Sequence, residues 1–218
     1  MAQIVDMYNQ GCFEETALKI ETLIKDFPES FKLWNMLGVV CMSLNRLEQA
    51  KNGFKKSIHL NPKFPDVYNN LGMILLRQNE FEEAIEAFKT AIFLKLDFVE
   101  AFYNMGITLK SIKFKYPNPE LHYYIIKLLE KETFVRTTDI VEAVISLIKS
   151  EPNIQKIFKI SFNNEVNELP IQIITELSKQ ALLIKLMSVF PIPDLEIETL
   201  LTNTRWFILS NISKLLNV

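Results

Sequence analysis

Few side chains in this sequence are of types that could do chemistry, and their spacing limits what they can do. The two histidines, His59 and His122, have no cysteine, second histidine or carboxylate at ligand spacing. That argues against a zinc or catalytic-metal site. His59 closes an apolar-periodic segment, where a partly charged imidazole complements a helix dipole. His122 stands beside Tyr123 and Tyr124 and reads as a packing residue. The carboxylate pairs Glu14-Glu15 and Glu82-Glu83 fall early in expected helices. There they suit the dipole and solvent better than paired acid–base work. Cys12 and Cys41 each sit in a helical apolar pattern. One disulfide is arithmetically possible, and the placement favours two buried thiols of a reducing compartment.

Glycine placement restricts the chemistry further. All five glycines (Gly11, Gly38, Gly53, Gly72 and Gly106) precede residue 107, and none belongs to a glycine-rich loop. Dinucleotide turns, SAM-binding turns and P-loops need clustered glycines so that backbone can approach the cofactor. The sequence therefore predicts no cofactor, no metal and no catalytic residue, and the chain reads as no enzyme.

Charge narrows the partners. Residues 1–115 carry 14 basic and 14 acidic side chains, and the remainder carries 10 and 12. Neither half has the basic excess that phosphate neutralisation requires, so nucleic acid is not expected. No basic amphipathic stretch suggests a membrane surface. The N-terminus lacks the charged and apolar regions of a signal peptide. The apolar stretch from Ala181 to Phe190 is interrupted by Lys185 and ended by Pro191, too short to span a bilayer. A cytoplasmic location is expected.

The elements that position these residues repeat. Trp34, Leu37 and Gly38 recur 34 residues later as Tyr68, Leu71 and Gly72, then as Phe102, Met105 and Gly106. In the same register Ala50, Phe54 and Pro62 recur as Ala84, Phe88 and Leu96, foreshadowed by Thr16, Ile20 and Pro28. This pattern resembles the tetratricopeptide-repeat (TPR) family, whose unit is a helix pair of about 34 residues. Glycine in mid-helix costs about 1 kcal/mol of propensity. Repeated in register, it predicts that paired helices approach too closely there for a side chain. Ala50 and Ala84 are expected on the facing helices, with Leu37, Leu71, Phe54 and Phe88 in the seam. Asn45-Arg46 and Asn79-Glu80 are expected at the turns within repeats.

Repeats 31–64 and 65–98 are complete. The first copy is partial and has Ile4 where glycine is expected. The fourth supplies only a leading helix, from Phe98 to Ser111, before Pro117 and Pro119 end the pattern. The expected fold is all-α: a TPR α-solenoid over 1–115, then a C-terminal helical bundle over 116–218 that caps it.

The second half keeps helical patterning without the period. Helices are expected over Asn118–Lys131, from a Thr137 or Thr138 cap to Lys149, and from Pro152 to about Lys159. A polar loop, Asn163 to Glu168, precedes a long helix from Pro170 to Phe190. Asp194 is placed in the first turn of a last helix with the face Ile197, Leu201, Ile208, Ile212 and Leu215. The stretches Pro119-Glu120-Leu121-His122, Arg136-Thr137-Thr138-Asp139-Ile140 and Pro193-Asp194-Leu195-Glu196 resemble the helical region that follows the repeats in bacterial TPR-linked proteins. In those chains it precedes a SAM-dependent methyltransferase or related transferase domain. The resemblance implies the front part of a longer architecture. The glycine-free second half contains no such catalytic domain.

The TPR resemblance implies that leading helices line a concave groove. Its expected surface includes Asn35, Asn69, Asn70, Met73, Arg77, Tyr103, Asn104 and Ile107, with Val39 and Met42. Asn70 and Asn104 resemble the asparagine ladder of the O-GlcNAc transferase superhelix, which holds an extended peptide by its backbone. One amide offers both a donor and an acceptor to a peptide unit. The alternative is that these asparagines satisfy local backbone groups. Lys32, Arg77 and Lys110 lie among Asp66 and Glu100 and form no convincing carboxylate clamp. The expected function is non-enzymatic binding of an extended peptide or protein surface. The alternative is the detached targeting half of a methyltransferase or glycosyltransferase, acting with a separate transferase chain.

Overall fold

The computed structural model describes residues 2–130, 136–162, 175–202 and 204–205, and all regular structure among them is helical. The helices are α1 (Ala2–Asn9), α2 (Phe13–Asp26), α3 (Phe31–Ser43), α4 (Leu47–Leu60), α5 (Pro65–Arg77) and α6 (Phe81–Leu94). They continue with α7 (Val99–Leu109), α8 (Pro119–Glu130), α9 (Thr137–Ser150), α10 (Pro152–Phe162) and α11 (Ala181–Val189), and a further helical stretch covers 195–202. The fold is all-α, with antiparallel helix pairs stacked as a TPR-like solenoid in the first half. The chain divides into two units, Met1–Thr108 and Leu109–Val218.

In unit one the expected register is visible at each turn. Gly11, Asn45 and Asn79, spaced 34 apart, adopt φ of 78°, 57° and 60°. A left-handed residue at each site reverses the chain between the paired helices. The backbone then closes identically: Cys12 N–H bonds Met7 O, Arg46 N–H bonds Cys41 O, and Glu80 N–H bonds Leu75 O. Asparagine tolerates this conformation at less cost than other non-glycine residues, which explains its recurrence.

The seams show why the mid-helix glycines are there. A Cβ on Gly72 would lie 2.5 Å from Phe88 Cε1, and one on Gly38 would collide with the Phe54 ring. Both phenylalanines are fully buried. The glycine thus faces an aromatic ring, while Ala50 and Ala84, also fully buried, keep the rest of the crossing tight. Repeat one fills the same seam differently. Ile4 and Ile20 stand at the glycine and phenylalanine positions, and both are buried in one cluster. Two medium side chains there share the volume that a glycine and a phenylalanine divide unequally elsewhere.

Gly53 adds a contact that the period does not announce. A Cβ there would lie 3.0 Å from Trp34 O and 3.1 Å from Gly38 N. Backbone therefore meets backbone across α3 and α4, whereas the equivalent residue in the next repeat is Ala87. The aromatic that opens each complete repeat also tethers the preceding turn. Trp34 Nε1–H donates to Pro28 O at 2.8 Å, and Tyr68 O–H to Pro62 O at 3.1 Å.

Unit two departs from several expectations. α9 begins at Thr137 with Arg136 at its cap, and no side chain caps it, so neither threonine performs that role. Its encircling apolar residues are buried as expected, including Ile140, Val144, Leu147 and Ile148. The long helix expected up to Phe190 is broken. Residues 175–178 are helical, Lys179 is a turn, and α11 starts afresh at Ala181 with Gln180 as its cap. Gln180 N–H reaches back only three residues, to Leu177 O, which tightens and ends the helical ladder. The expected loop at 163–168, the start of that helix at Pro170, and Ile208, Ile212 and Leu215 lie outside the described residues. Asp194 is the N-cap of the next helix rather than part of its first turn, since its Oδ1 accepts Ile197 N–H at 3.0 Å. Ile197 and Leu200 carry the buried face of that helix.

Candidate functional site

The leading helices of unit one present equivalent rows to solvent. On α5, Asp66, Asn70, Met73 and Arg77 fall on one stripe, at the spacing of residues stacked on a helix face. On α3 the matching residues are Lys32, Met36, Val39 and Ser43, and on α7 they are Glu100, Asn104 and Ile107. All are exposed or half-buried. The intervening Val67, Ile74, Leu75, Ala101 and Met105 turn inward and are buried. The 34-residue repeat converts one helix stripe into rows that run from helix to helix.

One of these rows is chemically uniform. Val5, Val39, Met73 and Ile107 form an apolar row, and Val5 is 45% exposed. Beside it lies the asparagine row. Asn70 Nδ2 donates to Asn35 Oδ1 at 3.2 Å, and Asn104 Nδ2 donates to Asn69 Oδ1 at 2.9 Å. The asparagines therefore bond one another across adjacent leading helices instead of satisfying local backbone. Asn69, 8% exposed, is a buried acceptor. Each donor keeps a side-chain oxygen and a second N–H with no other side-chain partner among the described residues. Met36 ends this row because it packs against the core of repeat one.

The remaining expected residues lie on the same face. Tyr103 is 37% exposed, and Arg77 sends its guanidinium to Met42 O at 3.3 Å. Lys110 does not stand free. It pairs with Asp139 at 2.8 Å within unit two, which removes one of the three cations considered for a clamp. Cys41 is buried and Cys12 half-buried, both as free thiols. Burial pushes the Cys41 thiol pKa up, which keeps it protonated and unreactive.

Unit two holds a pairing that spacing along the chain did not reveal. His122 Nε2 on α8 lies 3.1 Å from Glu151 Oε1, which follows α9, with both side chains largely buried. Neither atom has another partner among the described residues. Burial lowers the imidazole pKa, and the neighbouring carboxylate only partly offsets this. The unfolded chain therefore takes up the proton more readily. The stability this group contributes is present above the ordinary imidazole value of about 6.5 and is lost as pH falls through the lower folded value. Melting of the full chain should show an acid-side loss that His122→Gln reduces. Parallel pH curves for the two proteins would show that His122 has no such role.

A cleft of about 610 Å³ in unit two is lined by Lys113, Lys115, Lys149, Glu142, Asp194 and Ser146, among others. Lys113 pairs with Glu142 at 3.0 Å, and Lys149 with Asp194 at 3.1 Å and with Glu196. These pairs leave the cleft little excess charge with which to attract an anion. Among the described residues no helix is long and apolar enough to cross a membrane.

Comparison with known proteins agrees with the repeat geometry. Residues 31–64 and 65–97 each match a tetratricopeptide-repeat family model. No curated protein matches the chain in sequence. Among solved structures, the chain is similar to PilF of Pseudomonas aeruginosa, with TM-score 0.50 and 16% identity. That match covers 93% of this chain and 95% of the other. It is also similar to an O-GlcNAc transferase of Thermobaculum terrenum, with TM-score 0.52 and 15% identity over 59% of this chain. The match spans only 25% of that enzyme. At these identities the likeness is one of fold. Residues 31–97 are thus two TPR units, a repeat type that generally mediates protein–protein interaction.

Proposed function

We propose that these tetratricopeptide repeats hold an extended peptide, or an extended segment of a partner protein, across the leading helices without catalysis. The observation that carries the reading is the asparagine row. Asn70 and Asn104 are fixed in orientation by Asn35 and Asn69, and each still offers one donor and one acceptor. A peptide unit presents one N–H and one C=O, so the two sets are complementary. Fixing the amides beforehand reduces the rotamer entropy lost on binding.

The apolar row beside them adds buried area, and Tyr103 and Arg77 are positioned to select side chains. The test begins with capture of partners on the immobilised full chain and identification by mass spectrometry. Met73→Asp places a charge in the apolar row at a half-buried, solvent-facing site. It should abolish titratable binding of the captured partner while leaving the melting curve near that of the parent. Undiminished binding would move the site off this face.

A further inference from the structure

The leading helices end at the turns within the repeats, and along that edge the charged side chains are paired with one exception. We infer that this edge reads an acidic side chain of the bound segment, held by Arg77 where the segment passes from α3 to α5. The inference rests on the reading of this face as a peptide site and names a side-chain class that the site selects.

α3 and α5 pack against each other, and Arg77, the last residue of α5, spans the pair. Its Nη1–H donates to Met42 O, near the end of α3, at 3.3 Å. That carbonyl already accepts Asn45 N–H at 3.1 Å, so the turn does not depend on the arginine. The bond uses one of the five guanidinium N–H donors and orients the other four. Arg77 is exposed, and no carboxylate pairs with it among the described residues.

The carboxylates that share this edge, at the starts of the trailing helices, are already engaged. Glu14 holds Arg46 at 2.7 Å, Glu80 holds Lys51 at 2.8 Å, and Glu48 accepts Gln78 Nε2–H at 2.6 Å. The hydroxyls beside Met42 satisfy one another. The Tyr8 and Ser43 oxygens lie 3.0 Å apart, and Ser43 donates to Val39 O at 3.2 Å. Arg77 is left as the charged donor at the groove edge, and its planar fork matches a carboxylate with two parallel N–H bonds. It stands one turn beyond Met73 on the same stripe. Helical side chains lean toward the helix N-terminus, which brings the arginine stem alongside the apolar row. An acidic residue next to an apolar one can therefore meet both.

The test selects a phage-displayed library of random dodecamers on the immobilised full chain and, in parallel, on Arg77→Gln. Displayed peptides have no free C-terminal carboxylate, so any acid that is read is a side chain. On the parent, Asp and Glu should rise at least about threefold above their frequency in the unselected library, within the range of an exposed ion pair. On Arg77→Gln they should stay at the unselected frequency. The most enriched peptide, synthesised with fluorescein, then gives the pairwise measure by anisotropy. Exchanging its acid for the amide should weaken binding to the parent about fivefold at low salt and leave binding to Arg77→Gln unchanged. High salt should shrink the difference. Enriched peptides without an acidic preference, or the same preference on Arg77→Gln, would overturn the inference and leave the peptide site standing. Enrichment of no sequence on the parent would overturn both.

Discussion

Gly72→Leu is expected to unfold unit one or to lower its melting midpoint by about 15 °C or more. A Cβ at this position would already stand 2.5, 2.7 and 2.8 Å from three atoms of the Phe88 ring. That ring is fully buried, so it cannot swing into solvent to make room. Leucine adds three further carbons beyond the Cβ. Overpacking by extra methylenes costs about 1–3 kcal/mol, and here the strain falls on a closed seam, so about 4 kcal/mol is a reasonable expectation. The opposing gain in helix propensity on losing glycine is only about 1 kcal/mol. For a unit of this size each 1 kcal/mol moves the midpoint by about 4–8 °C.

The first repeat suggests the repair. Ile4 and Ile20 occupy the glycine and phenylalanine positions there. Gly72→Ile combined with Phe88→Ile should therefore recover much of the stability that either change alone removes. Thermal melts followed by circular dichroism would read the coupling between the two sites. An unchanged midpoint in Gly72→Leu would show that this seam is not where the repeats pack.

The same seam explains why the first half of the fold was legible in the sequence. A glycine in mid-helix is a local cost, and it persists at fixed spacing only where another helix compensates it. Gly38 and Gly72, with Phe54 and Phe88, therefore announced both the period and the packing. The asparagines at the turns did the same, because Asn45 and Asn79 sit where the backbone must turn left-handed. Gly53 was harder to read. It has no periodic counterpart, and its close approach to the backbone of α3 depends on how one helix pair crosses.

The second half offered no repetition to average over. The helices were evident from their apolar spacing, but their ends depended on single hydrogen bonds. Asp194 capping Ile197 and the break after Lys179 are decisions of that kind. The approach of His122 to Glu151 is a tertiary event between residues 29 apart in the chain, and no local pattern encodes it. At the candidate site, sequence placed Asn70 and Asn104 in equivalent positions. It did not show that Asn35 and Asn69 would hold them. That pairing links each repeat to the next, and only the stacking of α3, α5 and α7 creates it.

This pairing shapes the second large expected effect. Changing both Asn70 and Asn104 to alanine should raise the Kd for a captured peptide at least about thirtyfold. Each removed amide leaves the facing peptide groups without partners, a loss of about 1–3 kcal/mol per rung, or about 2–6 kcal/mol for the pair. The fold should also feel the change. Asn104→Ala leaves the buried Asn69 oxygen without its donor, a cost of about 1–3 kcal/mol. Titrations therefore belong well below the lowered melting midpoint, with circular dichroism confirming that the double variant remains helical. Asn69→Ala offers a sharper control. It removes the acceptor that holds the rung but not the rung itself, so it should loosen Asn104 and weaken binding by less than the loss of Asn104 itself. The loss in the double variant should be similar for peptides of different side-chain sequence, because backbone contacts do not read side chains. A loss that varied widely with sequence would mean that the asparagines recognise side chains. Equal affinity in parent and double variant would remove the asparagine row from the binding site and shift attention to the apolar row alone.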